Sequence, residues 1–187
     1  MKGIEYAMTQ VKREVNAIIN GKKIKTVETI NFKDNLYLEA HIRKKGGRLI
    51  DNEEILNVAR RWVKENQFRT GVHLLKGFSN VTAVAKSFSN IAEICLEKLF
   101  RIIHKNFAIR YGVVSGRGAA ILAMGKLGSK EMSLGSDLDL IIIYDASQNQ
   151  YSNGKKSIPS QLYYSKLTQA FISAITVATS EGKLFRV

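Results

Sequence analysis

Residues 124–144 read M-G-K-L-G-S-K-E-M-S-L-G-S-D-L-D-L-I-I-I-Y, and the rest of the chain is read outward from this stretch. It links a small apolar run, Ala119–Ala123, through a glycine-rich turn to a second apolar run that carries two carboxylates. Asp137 and Asp139 alternate with Leu138 and Leu140. In a strand, residues i and i+2 face the same way, so both carboxylates are expected to leave it on one side, about 7 Å apart. Two hard oxygen ligands so placed suit Mg2+, which takes one or two carboxylates and completes its shell with waters and substrate phosphates.

Gly125, Gly128 and Gly135 suit a turn in which the main chain adopts unusual conformations or is closely approached. Successive backbone N–H groups in such a turn make an anion-binding concavity. Ser129 adds a hydroxyl donor and is expected to N-cap a short helix beginning at Lys130. Lys126 adds a point charge, and Ser136 stands directly before the first carboxylate. A phosphate cradle beside a carboxylate pair describes a phosphoryl- or nucleotidyl-transfer site, where positioning and charge neutralisation carry the catalysis. Each feature has a plainer reading. A D-x-D can mark a strand end whose carboxylates meet lysines, Gly128-Ser129 can be a tight turn, Ser136 a turn residue, and Lys126 a solvated side chain. The pair and the turn together favour the metal and phosphate reading.

Gly128-Ser129, a short spacer and Asp137-x-Asp139 resemble the signature of DNA polymerase β-like nucleotidyltransferases. The longer string from Ala123 to Asp145 resembles the bacterial glutamine synthetase adenylyltransferase/deadenylylase family. So do Tyr164-S-K-L-T-Q-A-F-I, Thr179-S-E-G-K-L-F-R-V187 and, upstream, Arg60-R-W-V-K-E-N-Q-F-R-T-G-V-H-L-L-K-G77. The resemblance covers residues 50–187 and points to the C-terminal, adenylylating catalytic domain. It implies an α+β fold, with a helical N-terminal part (1–110, of which 1–50 is unassigned) and a nucleotidyltransferase core (111–187) built on a mixed sheet with flanking helices. It implies Mg2+ on Asp137 and Asp139, and ATP as substrate with its phosphates held by Gly128 and Ser129, assisted by Ser136 and Lys126. It also implies transfer of AMP to a tyrosine of glutamine synthetase in the cytoplasm, removal by phosphorolysis in a sister domain, and a PII-type signalling partner for the full-length enzyme. Family members carry a second glycine where this chain has Ser129. The resemblance places the third metal-binding carboxylate immediately after Val187, so the 187 residues are expected to form a truncated core with little activity alone.

The net charge of +13 is unevenly spread: residues 1–118 hold 22 of the 29 Lys and Arg and 11 of the 16 Asp and Glu. A basic N-terminal part is one footprint of a nucleic-acid-binding module, which a salt titration against RNA would expose. Compositional drift toward Lys, Ile and Asn accounts for the same charge. The polymerase β-like signature would also serve a transferase acting on RNA or a small molecule, against which the G-K-L-G and T-S-E-G-K-L strings argue. No apolar run approaches a membrane span and Met1–Tyr6 lacks a signal-peptide block. The single cysteine, Cys95, fits a reducing compartment.

Along the chain, Ile4, Ala7, Met8, Val11, Val15, Ile18 and Ile19 have helical spacing, Asn20-Gly21 ends that run, and residues 24–32 alternate loosely as a strand would. Residues 36–43 fit a short helix or a strand. Asp51 is expected to cap a helix carrying Ile55, Val58, Ala59 and Trp62 on one face; Gln67–Leu75 continues it or starts another, Lys76-Gly77 is the stop, and Ser79 or Asn80 caps the next. Ile91, Cys95, Leu99, Ile102, Ile103 and Phe107 make that helix's apolar stripe. The spacing predicts strands over Ala119–Met124 and Leu138–Tyr144, the second covered on both faces, and a third beginning at Leu184. Residues 145–157 are expected to be a flexible polar loop turning at Asn153-Gly154. Pro159 and Ser160 should open a helix with Tyr163, Leu167, Ala170, Phe171 and Ala174 inward. His41, His73 and His104 show no metal-ligand spacing and are read as surface or partly buried side chains.

Overall fold

A computed structural model describes residues 52–147 and 149–187. The helix, strand and cap expectations at residues 1–51, Asp51 and His41 included, lie outside the described residues. Helix α1 is Asn52–Leu75 and α2 is Val81–Tyr111. Strand β1 (Gly118–Ala123), the one-turn helix α3 (Gly125–Gly128), strand β2 (Leu140–Asp145) and helix α4 (Ser160–Thr176) follow.

Helix α1 runs unbroken through the stretch at Gln67. Glu53 and Glu54 in its first turn complement the dipole. Its inward face starts apolar (Ile55, Ala59, Trp62, Val63) and turns polar (Asn66, Thr70, His73). The polar part is tolerated because Asn66 donates to Trp62 O at 2.8 Å and Thr70 to Asn66 O at 2.8 Å. His73 is thus buried, contrary to the expectation of a surface or partly buried ring. The helix stops as Lys76-Gly77 predicts. Gly77 takes φ 70°, its N–H bonds Leu74 O at 2.9 Å, and the Phe78 N–H bonds His73 O at 2.9 Å. The His73 and Phe78 rings meet edge-on across this Schellman turn. Asn80, rather than Ser79, caps α2 by accepting from the Ala83 N–H at 2.8 Å.

One apolar cluster joins Ile55, Ala59, Trp62 and Val63 of α1 to Ile91, Cys95 and Leu99 of α2, Phe171 and Ile175 of α4, and Leu127, Leu138, Leu184 and Phe185. A second gathers Val114, Tyr163, Tyr164 and Leu167 beneath the end of α2. In α4 the buried face is Tyr163, Tyr164, Leu167, Phe171 and Ile175; Ala170, expected inward, is exposed.

The described residues contain an antiparallel β1–β2 pair, in register from Gly118↔Asp145 to Ala123↔Leu140. The composition is α+β as expected, but this sheet is not mixed. The third strand at Leu184–Val187 is likewise absent from the described residues. That segment contributes a single ladder-like bond, Leu138 N–H to Arg186 O at 2.8 Å. Strand β2 is covered on one face only. Leu140 and Ile142 pack against the core, whereas Ile141 and Ile143 are exposed at 46% and 49%. Its apolar run reflects composition, not burial on both sides.

The 145–157 loop is tied down, against the expectation of a flexible one. Ser152 is buried and exchanges bonds with Ser157 and Ile158. At the Asn153-Gly154 turn, the Asn153 carboxamide accepts from the Val113 N–H at 2.8 Å and the Gly154 N–H donates to Tyr111 O at 3.0 Å. A side chain on Gly154 would collide with the Tyr111–Gly112 main chain, so glycine is required there.

Candidate active site

The site begins where β1 ends. The Met124 N–H donates to Asp139 O at 2.8 Å, extending the β1–β2 ladder by one bond, and the chain then turns into α3. Gly125 opens that turn at φ 50°. A Cβ on Gly125 would run into the Asp139 carboxylate, and one on Gly128 would stand 2.6 Å from Ala123 O. Both glycines therefore serve close approach, Gly125 to the carboxylate and Gly128 to the end of β1.

Asp137 and Asp139 both precede β2, which starts at Leu140, so they lie on its approach and not within it as the sequence predicts. Leu138 between them is buried in the core, which sends its two neighbours outward. The alternation survives although the strand assignment does not. The Asp137 carboxylate is 64% exposed and paired through Oδ1 with Arg186 Nε at 2.8 Å. Asp139 is exposed beside Gly125 and has no side-chain partner among the described residues.

Ser129 does not N-cap a following helix. It is the C-cap of α3, with its N–H on Gly125 O at 3.0 Å. Lys130 next to it takes φ 64°, which no helix start permits. The N–H groups of Gly128 and Ser129 are thus used inside the turn. Those of Gly125, Lys126 and Leu127 form the helix's opening turn, where intrahelical partners are lacking. The Ser129 hydroxyl donates to Glu131 Oε2 at 2.9 Å. Lys126 is exposed. The Ser136 hydroxyl stands 2.9 Å from that of Ser133 and accepts from the Ser133 N–H at 3.0 Å, closing the turn before Asp137.

Helix α2 anchors this surface from below. Leu127 and Met132 are buried against it. The Met132 N–H donates to Ser89 Oγ at 3.3 Å, and Lys130 pairs with Glu93 while reaching Asn90 at 3.3 Å. Arg186 and Lys130 are the side chains that sequence reading missed. Their partners are distant in the chain, and nothing local signals the pairing. A groove of about 510 Å3 between α1, α2 and α4, lined by Ile55, Leu99, Ile103, Phe107 and Val177 among others, is formed by residues other than the carboxylates.

Among the described residues no group of three or more His, Cys, Asp and Glu is placed to hold a metal. The donor set that is present still fits a hard divalent cation such as Mg2+. It comprises two exposed carboxylates on either side of a buried leucine, one of them unpaired and facing a glycine that leaves it room.

A carboxylate pair set against a glycine-bounded helical turn, on a small antiparallel sheet backed by long helices, defines an α+β protein with an open acidic site. The family model for glutamate-ammonia ligase adenylyltransferase matches residues 8–187, and the chain belongs to that family. The match extends into the segment 1–50 that sequence reading leaves unassigned. The chain is 38% identical over 152 residues to the bifunctional glutamine synthetase adenylyltransferase/adenylyl-removing enzyme of Brucella suis, covering 81% of this chain and 16% of that protein. It is 36% identical over 157 residues to the enzyme of the same name from Mesorhizobium japonicum, covering 82% and 16%. With the one from Rhodopseudomonas palustris strain TIE-1 the figures are 40% over 136 residues, covering 72% and 14%. The chain thus spans about one sixth of the length of these relatives.

Proposed function

We propose that these residues carry part of a nucleotidyltransferase site that moves AMP from ATP to a tyrosine of glutamine synthetase, within a cytoplasmic enzyme of nitrogen regulation. In this reading residues 111–187 belong to a polymerase β-like core and residues 52–110 are its helical platform. The observation that carries it is the Asp139 carboxylate, exposed and unpaired beside Gly125, with Asp137 on the same approach to β2. Family membership supports the same chemistry.

Asp137 and Asp139 would hold Mg2+, which when bound supplies charge neutralisation for the triphosphate and the leaving pyrophosphate. The opening turn of α3 presents the main-chain N–H groups of Gly125, Lys126 and Leu127 to the phosphates, the Gly128-Ser129 end closes that turn, and the Ser129 side chain offers a hydroxyl. Ser129 has first to exchange its Glu131 partner for a phosphate oxygen. Lys126 adds positive charge from the solvent side, and Ser136 keeps the Asp137 turn closed. Glutamine synthetase is the protein substrate in this reading, and a PII-type signalling protein is the regulator of the full-length enzyme.

Calorimetry of ATP binding with and without Mg2+, on the wild type and on Asp137→Ala/Asp139→Ala, tests the site. Binding should require Mg2+ and disappear in the double variant. ATP binding by the wild type that ignores both Mg2+ and the two carboxylates would remove the reading.

A further inference from the structure

Arg186 is held at three points on the acidic loop. Its main-chain carbonyl accepts from the Leu138 N–H at 2.8 Å, its Nη2 donates to Gly135 O at 2.6 Å, and its Nε pairs with Asp137 Oδ1 at 2.8 Å. Gly135 takes φ 79°, and its carbonyl is the one the guanidinium clasps. The clasp covers one side of Asp137 and leaves Asp139 untouched. The two carboxylates are therefore unequal: among the described residues Asp139 has no side-chain partner, whereas Asp137 already has a counter-cation.

An ion pair this exposed, at 69% for Arg186 and 64% for Asp137, adds little to stability. Its consequence lies in what else can approach. A fixed positive charge on one carboxylate oxygen repels a divalent cation seeking the same group, and it occupies a lone pair that the cation would use.

We propose that Arg186 is a built-in competitor for the metal at Asp137, so that the site takes up its divalent cation only as the Arg186–Asp137 pair opens. Arg186 thereby sets the metal affinity of the site; this rests on the reading of Asp137 and Asp139 as metal ligands. The interaction across the exposed pair corresponds to a change of about two- to five-fold in metal dissociation constant on removing the charge.

The test is Mn2+ binding to the full chain, read from the loss of the free-ion electron paramagnetic resonance signal. It compares the wild type, Arg186→Gln, Arg186→Lys, Asp139→Asn and the double variant Arg186→Gln/Asp137→Asn. Arg186→Gln should bind Mn2+ about two- to five-fold more tightly and Arg186→Lys close to wild type, with the gain abolished in the double variant. Equal or weaker binding by Arg186→Gln, with Asp139→Asn still impaired, would overturn the competitor role and leave the metal site standing. Binding that Asp139→Asn does not weaken would overturn the metal site and the proposal with it.

Discussion

Gly125 shows how closely the site depends on single residues. At φ 50°, and with the Asp139 carboxylate where a Cβ would point, it is the one residue that lets the strand-to-helix turn and the carboxylate share the same space. We expect Gly125→Ala to cost about 1–2 kcal/mol in urea denaturation, from the left-handed backbone alone. It should also weaken Mg2+-dependent ATP binding, because the carboxylate has to move. Cys95 makes a second residue-scale prediction. Burial in the core pushes its thiol up from an ordinary 9.0 to about 12, with Arg60 opposing the shift only in part. A group whose folded value is raised contributes stability below its unfolded value and loses it as pH climbs through the folded one. Stability should therefore fall between pH 9 and about 12. Cys95→Ala should be less stable at neutral pH but show a shallower alkaline decline, measured by urea midpoints across that range. Burial raises Tyr163 and Tyr164 in the same direction, so part of the decline will remain in the variant.

At the scale of elements, the β1–β2 pair has a buried and an open face. Ile142 opposes Ile121 on the inner side, and Ile143 opposes Ala120 on the outer. Ile142→Ala should cost about 2 kcal/mol or more, whereas Ile143→Thr should stay within about 0.5 kcal/mol in equilibrium unfolding. Comparable losses at both positions would mean that something covers the outer face. Helix α1 meanwhile governs the approach of the last segment to the site. Arg60, fully buried, donates to Val177 O at 2.6 Å and Ala174 O at 3.3 Å, at the carbonyl end of α4 where positive charge is favoured. Asn57 accepts from Thr179 at 2.6 Å, and Arg61 and Lys64 both hold Glu181. These bonds orient the turn that delivers Arg186 to Asp137. Asn57, Arg60, Arg61 and Lys64 read in sequence as an ordinary mixture of polar and basic helix positions.

For the molecule as a whole, the described residues bring together two carboxylates and no third ligand. The 187-residue chain incubated with ATP, Mg2+ and glutamine synthetase should therefore transfer little or no AMP, measured by radiolabel incorporation. Transfer at the level of a full-length relative would overturn that expectation. Helices α1, α2 and α4, the stop at Gly77 and the two strands within a residue or two were legible from local pattern. Helical spacing, Asn80 as a cap, Gly77 as a stop and glycines around the turn are signals that neighbouring residues carry. What misled was also local. An apolar run looks the same whether one face or both are covered, which is why β2 was expected to be buried on both sides. A serine after two glycines reads as a helix start, although here it ends one. Leu184–Val187 has a strand's composition, but among the described residues it makes only the one ladder-like bond to Leu138.

Spacing between near neighbours thus settled that Asp137 and Asp139 emerge together beside a glycine turn, because alternation about a buried leucine needs no distant contact. The charge state of that pair could not be read the same way. Arg186 reaches Asp137 only because the chain returns past α1 and α4 to lie against Leu138. The burial of Arg60 and the exposure of Ile143 depend on the same long-range packing. Which face of a strand meets solvent, and which cation sits on which carboxylate, are relations between segments far apart in the chain. They arise when the whole chain minimises exposed apolar area and unpaired buried charge together.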